Sequence, residues 1–246
     1  MSFTVIIPAR YAASRLPGKP LLDVAGKPML QHTYERALQS AAKTVCIATD
    51  DSRIQSAAEA FGAKVIMTSN EHVSGTDRLQ EAAKKLGLLS QDIVVNVQGD
   101  EPLIPPSVIN QVAANIASMK DAGIATLCEE ITDPEEITDP NSVKVVFNSK
   151  GHALYFSRAT IPFNSSVTGK NCFRHIGLYA YRVDVLNQFI DWPVADIERS
   201  EKLEQLRALH NGVVVHVAVS KASIPAGVDT EKDLNAVRQF LEQQAS

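Results

Sequence analysis

Four short apolar runs constrain this chain most: Phe3-Thr4-Val5-Ile6-Ile7, Thr44-Val45-Cys46-Ile47-Ala48, Val65-Ile66-Met67 and Ile93-Val94-Val95-Asn96-Val97. They are rich in β-branched residues and too short to be helices, so they read as strands, the first and last of them buried. Segments of helical period separate them. One runs from Met29 to Ala41, one is capped by Asp50 or Asp51 and ends at Gly62, and one runs from Thr76 to Leu86. Another helix, Pro106 to Met119, starts at prolines, which the first helical turn tolerates. Strands alternating with helices of this length imply βαβ units and a parallel sheet.

The pattern then changes. Val143–Phe147 and Ala153–Phe156 flank the turn-forming Asn148-Ser149-Lys150-Gly151 and read as a hairpin, with a third strand at Ile176–Tyr181. Antiparallel pairing after a parallel series suggests a smaller subdomain beside the first. A helix over Glu201–His210, a strand over Val213–Val219 and a last helix from Glu231 restore the α/β pattern.

Composition narrows the function. The 246 residues carry a net charge of −4, without a basic block or aromatic-basic stripe, which argues against a nucleic-acid partner. No apolar stretch approaches the roughly 18 residues that span a bilayer, and the first residues lack a signal-peptide pattern. Cys46, Cys128 and Cys172 are odd in number and form no C-x-x-C, against a disulfide framework or structural zinc. The expectation is a cytoplasmic protein.

Against that acidic balance, the loop after the first strand is basic: Pro8-Ala9-Arg10-Tyr11-Ala12-Ala13-Ser14-Arg15-Leu16-Pro17-Gly18-Lys19-Pro20, with no carboxylate before Asp23. A basic loop at the carboxyl end of a buried strand is where an open α/β sheet binds a polyanion, although a merely solvated loop has the same composition. It is not a P-loop, because Ala13 stands five residues before Gly18 and Pro20 follows Lys19. Side-chain cations replace backbone amides here: Arg15 can clamp two phosphate oxygens and Lys19 supplies a point charge.

Asn96-Val97-Gln98-Gly99-Asp100-Glu101-Pro102 ends the fourth strand, so Asp100 is either a turn aspartate or a ligand for a hard cation such as Mg²⁺. Asp229 is expected just outside the capping box of Thr230 and Asp233, not used by it, and gains interest only as a second metal carboxylate. Ser74-Gly75-Thr76-Asp77-Arg78 is a capping sequence whose amides can also receive an anion or a base edge. His175, Gly177, Tyr179 and Tyr181 share one strand face and suit either a hydroxylated ligand or an ordinary surface. Glu201, Glu204 and Gln205 read as the solvated side of a helix.

Taken in order, these stretches closely resemble the CMP-Kdo synthetases (3-deoxy-manno-octulosonate cytidylyltransferases). Ile7-Pro8-Ala9-Arg10-Tyr11, Ser14 to Leu21, Ala48-Thr49-Asp50, Ser74-Gly75-Thr76 and Val95 to Pro102 carry the resemblance in the first half. Ala153 to Pro162, Arg174-His175-Ile176-Gly177, Glu201 to Leu209 and Gly227-Val228-Asp229-Thr230 extend it to the end. The resemblance implies a Rossmann-like α/β nucleotidyltransferase fold, a three-layer sandwich with a mostly parallel sheet and a smaller antiparallel subdomain. It also implies transfer of CMP from CTP to the anomeric hydroxyl of Kdo, with release of pyrophosphate, for lipopolysaccharide biosynthesis.

Residues 1–125 plus 205–246 would form the nucleotide-binding domain, and 126–204 a sugar-binding and dimerisation subdomain. By the same resemblance, Arg15, Lys19 and Asp100 would be catalytic. Pro8, Ala9, Arg10, Ser74, Gly75, Arg78 and Gln98 would line the nucleotide. Arg158, His175, Tyr179, Glu204 and Gln205 would bind the sugar, with Ser165–Gly169 on the outer wall of its pocket. Asp100 and Asp229 would hold Mg²⁺ in a homodimeric enzyme whose partners are CTP and Kdo. A cytidylyltransferase for 8-amino-Kdo, another sugar nucleotidyltransferase, a nucleotide hydrolase and a phosphate-binding regulator are the competing readings.

Overall fold

The computed structural model describes residues 2–12, 16–72, 74–163, 171–225 and 227–245. The first strand, β1 (Thr4–Ala9), pairs in parallel with β4 (Thr44–Thr49) and with β6 (Ile93–Asn96), and β4 pairs in parallel with β5 (Val65–Met67). A two-stranded ribbon, β2 (Asp23–Val24) and β3 (Lys27–Pro28), leads into the first helix. Helices α1 (Met29–Leu38), α2 (Ser52–Ala60), α3 (Gly75–Lys85) and α4 (Pro106–Ser118) connect the parallel strands. Asp51, rather than Asp50, caps α2, accepting from the Arg53 amide at 2.9 Å. Helix α1 stops at Leu38, short of the expected Ala41, whose amide donates instead to Asn110 Oδ1 at 2.8 Å.

Strand β7 (Ala122–Glu130) was not foreseen. After the five-residue α5 (Pro134–Thr138), the expected hairpin forms as β8 (Lys144–Phe147) and β9 (Ala153–Ser157). The long β10 (Phe173–Arg182) then enters the main sheet between β6 and β7, antiparallel to both. The main path is β11-β7-β10-β6-β1-β4-β5, with β11 (Val214–Val219) parallel to β7 and β8 attached to the first half of β10. The sheet is thus mostly parallel, with β10 reversed. The expected boundary at residue 125 falls inside β7, and β10 belongs to the same sheet as the parallel strands.

Alternate residues of each central strand serve opposite faces. Val5, Ile7, Val45, Ile47 and Val95 pack with α1, α2 and α4, while Ile6, Cys46, Ala48 and Val94 pack with α3 and its neighbours. Burial of both faces explains the unbroken apolar runs. The second face is completed by α6 (Val183–Phe189), α7 (Asp196–Glu201) and α8 (Gln205–His210), and α9 (Glu231–Ala245) packs beside β2. The expected single helix over Glu201–His210 is therefore two. Lys202 takes φ 54° and ends α7, and α8 begins at Gln205. No helix among the described residues is long and apolar enough to cross a membrane.

Candidate active site

The carboxyl ends of β1 and β6 open onto a cavity of about 280 Å³ lined by Pro8, Ala9, Arg10, Lys19, Gly75, Gln98, Gly99 and Asp100, among others. Its floor depends on Gly99. A Cβ there would stand 3.1 Å from the Pro8 carbonyl oxygen and 3.3 Å from Leu30 Cδ1, so a side chain would wedge the two strand ends apart. The basic loop folds back on itself: Gly18 adopts φ 71° and its amide donates to the Tyr11 carbonyl at 3.1 Å, which sets Lys19 over the cavity. Arg15 lies outside the described residues.

Lys19 is the centre of charge. Its Nζ donates to Asp100 Oδ2 at 2.5 Å, to the Val228 carbonyl at 2.8 Å and to Asp229 Oδ1 at 3.2 Å. The two aspartates, 129 positions apart in sequence (229 − 100), are joined by the main chain as well, the Val228 amide donating to the Asp100 carbonyl at 2.9 Å. The capping box of Thr230 and Asp233 holds Asp229 just before α9. Burial pulls the Lys19 ammonium toward neutrality, but the hydrogen bond and charge of Asp100, then Asp229, outweigh it and hold its pKa above the ordinary lysine value. Beside Asp100, burial pushes the Glu101 carboxyl up to about 8, and the Asp100 charge adds to that.

Arg10 also enters this cavity, but its guanidinium is tied to main chain: Nη2 donates to the carbonyls of His72 (2.9 Å) and Ser74 (2.7 Å). Ser74 caps α3 in a reciprocal box with Asp77. Arg78 does not line the cavity. It is fully buried, paired with Asp50 at 3.0 Å and hydrogen-bonded to Thr68 Oγ1, so it sits behind the nucleotide-side residues.

The expected sugar residues gather around β10. Ile176, Leu178 and Ala180 face the core shared with α4 as anticipated, and on the opposite face the rings of His175, Tyr179 and Tyr181 follow one another at 5.2 and 5.8 Å beside an exposed Gly177. A bulge between Ile176 and Tyr179 is filled by the Thr126 hydroxyl, which lies 2.9 Å from the Ile176 carbonyl, 2.8 Å from the Leu178 carbonyl and 3.0 Å from His175 Nε2. The Thr126 hydroxyl has one hydrogen for these three neighbours, so the ring's tautomer decides whether it donates to His175 Nε2 or accepts from it. Burial lowers the His175 pKa to about 3 and raises that of Tyr179, helped by Tyr181 and Glu204, so imidazole and phenol both stay neutral. Among the described residues no side chain intrudes at Gly177.

Glu204 stands just before α8 without a side-chain capping bond, and its Oε2 accepts from Thr76 Oγ1 at 2.6 Å. Arg158 is anchored to the α7 end: its Nε donates to the Glu201 carbonyl at 2.8 Å, and Nη1 to the Pro140 carbonyl at 2.9 Å. Glu201 itself holds Ser157 Oγ at 2.6 Å and the Arg158 amide at 2.9 Å. Gln205 opens α8, and the Ser165–Gly169 wall lies outside the described residues. A larger cavity of about 810 Å³ shares His175 and Gly177, but Asp133, Glu135, Glu136 and Asp139 line it, which does not suit an acidic substrate.

Sequence reading missed Thr126 and the Val228 carbonyl, and gave Glu201 and Thr76 only a place on a solvated helix side and in a capping sequence. Thr126 lies on the unforeseen strand, and Thr76 read as a capping residue whose partner stands 128 positions away. No local signal marks either.

Comparison with known proteins decides the family. The model of the cytidylyltransferase family matches residues 4–221. The 3-deoxy-manno-octulosonate cytidylyltransferase of Cellvibrio japonicus is 58% identical over 252 aligned positions, covering 98% of this chain and 99% of its own. The chain belongs to the 3-deoxy-manno-octulosonate cytidylyltransferase family. A second relative of that name, from Vibrio campbellii, is 54% identical with both chains fully covered. A solved structure of CMP:2-keto-3-deoxy-manno-octonic acid synthetase complexed with CTP superposes with a TM-score of 0.92 at 45% identity, covering 99% of each chain. Membership of the cytidylyltransferase family brings with it the nucleotidyltransferase fold expected from the sequence.

Proposed function

We propose that this protein transfers CMP from CTP to the anomeric hydroxyl of Kdo, forming CMP-Kdo for lipopolysaccharide biosynthesis. The observation that carries the reading is the Lys19–Asp100–Asp229 cluster at the mouth of the cavity formed by β1 and β6. Relatives of 52–58% identity bear the matching name.

In the proposed reaction the sugar hydroxyl oxygen bonds to the α-phosphorus, the bond from that phosphorus to the bridging oxygen breaks, and pyrophosphate leaves. The hydroxyl proton passes to solvent. Negative charge gathers on the nonbridging and leaving oxygens, so positioning and charge stabilisation are the protein's main work. Lys19 and Arg15 neutralise the phosphates. Arg10, Ser74, Gly75 and Gln98 border the nucleoside, with Pro8 and Ala9 as its floor and Arg78 as support from behind. Neutral His175 and Tyr179, with Glu204, Gln205 and Arg158, hold the sugar acid.

Asp100 and Asp229 already converge on one cation, the Lys19 ammonium, and two hard carboxylates beside a phosphate site fit Mg²⁺. When bound, Mg²⁺ would supply further neutralisation of the triphosphate and acidify the acceptor hydroxyl. Nucleotide contacts would come from residues 1–125 and 205–246 and sugar contacts chiefly from 126–204. The exposed Leu154 and Phe163, near the hairpin β8–β9, would be covered in a cytoplasmic homodimer.

Pyrophosphate release is to be measured with each of the four NTPs, with and without Kdo. Release with CTP alone of the four, and with Kdo present, is expected. Release that ignores the sugar would sink the proposal.

A further inference from the structure

The nucleotide and sugar halves of the site meet at one side chain that sequence reading took only for part of a capping sequence. Helix α3 begins at the nucleotide cavity: the Ser74 carbonyl receives Arg10, Gly75 lines the wall, and the next residue, Thr76, turns inward with 3% exposure. There its hydroxyl donates to Glu204 Oε2 at 2.6 Å, on the turn between α7 and α8. The neighbourhood is half dry. Tyr179 and Tyr181 sense the Glu204 charge, and Arg207, one turn on, is committed to Glu198 through bonds of 2.9 and 2.7 Å.

We infer that Thr76 is a positioning residue that fixes the sugar-side carboxylate of Glu204 against the nucleotide-side start of α3, so that the two substrates are held in one register. The inference rests on the cytidylyltransferase reading and extends it. Three features make the bond consequential. The turn from Lys202 to Glu204 belongs to no helix; main-chain bonds tie it to α7 and α8, and the Thr76 hydroxyl ties it across to α3. A hydrogen bond to a carboxylate is among the stronger single contacts, and its removal leaves a partly buried charge short of a donor. The first turn of an eleven-residue helix also favours a neighbouring negative charge, which sets Glu204 there rather than a neutral group.

Thr76→Val keeps the β-branched shape and deletes the hydroxyl, and Thr76→Ser restores it. The valine variant is expected to raise KM for Kdo by about tenfold while KM for CTP stays within about twofold, a split that follows from losing a charge-assisted bond on one side only. The serine variant should return KM for Kdo to within about threefold of wild type on the same reasoning. If Thr76→Val does not fold, Thr76→Cys, with a weak donor of similar size, carries the same expected split. Equal rises in both KM values, or no rise in either, would overturn the positioning role. Wild-type protein without Kdo-dependent turnover would instead remove the underlying reading and this inference with it.

Discussion

Lys19 holds together two carboxylates that would otherwise repel each other. Lys19→Met is expected to lower kcat/KM by at least ~10²-fold, the scale of losing one preorganised charge at a phosphoryl site, as measured by pyrophosphate release. Because the Lys19 pKa is raised in the folded chain, its contribution to stability is complete below the unfolded lysine value and fades only above it, so no change is expected near neutrality. His175 behaves oppositely. Its folded pKa, about 3, lies below the unfolded value of 6.5, so the unfolded chain takes up the proton first as pH falls. The stability this histidine contributes is present above pH 6.5 and drains away toward pH 3. In His175→Gln the urea midpoint should therefore fall less steeply from pH 6.5 to 4 than in wild type; parallel slopes would contradict the burial argument.

At the scale of elements, the parallel half was legible because strands buried on both faces leave short apolar runs and their helices carry caps. The site's carboxylates were legible for the same reason: Asp100 ends such a run, and Asp229 precedes a capping box. Strand β7 hid itself. A Cβ on Gly123 would meet Val185 Cγ2 at 2.6 Å and Val213 Cγ1 at 2.9 Å, so packing keeps a glycine there, and with Ala122 and Ala125 it dilutes the strand signal of Ile124 and Thr126. The α7–α8 break was equally silent, since Leu203, Leu206 and Leu209 keep helical spacing and no glycine marks the left-handed Lys202. Lys202→Gly should relieve that conformation and raise stability by up to ~1 kcal/mol, whereas Lys202→Val should lower it, as read from thermal midpoints. A glycine variant less stable than wild type would show that the Lys202 side chain, not its backbone, matters most.

At the scale of the whole molecule, β10 binds the later part of the chain into the sheet built by the earlier part. Trp192, packed against Phe189, reports on residues of the expected subdomain, while far-ultraviolet ellipticity reports on all helices and strands. The two signals should fall together in urea, because separating the halves would strip β6 and β7 of their shared neighbour. A fluorescence transition well ahead of the ellipticity would mean that 126–204 melts by itself.

The reversed strand also sets a condition on biosynthesis. Strand β10 is central in space but late in sequence, so a growing chain carries β6 and β7 as two open edges until residues 173–182 have been made. Apolar strands with unpaired amides invite pairing with other chains. Between Asn96 and Arg182 the growing chain is therefore most exposed to such pairing; one ten-residue strand then closes the gap between β6 and β7, and β11 (Val214–Val219) covers the last edge of β7 later still.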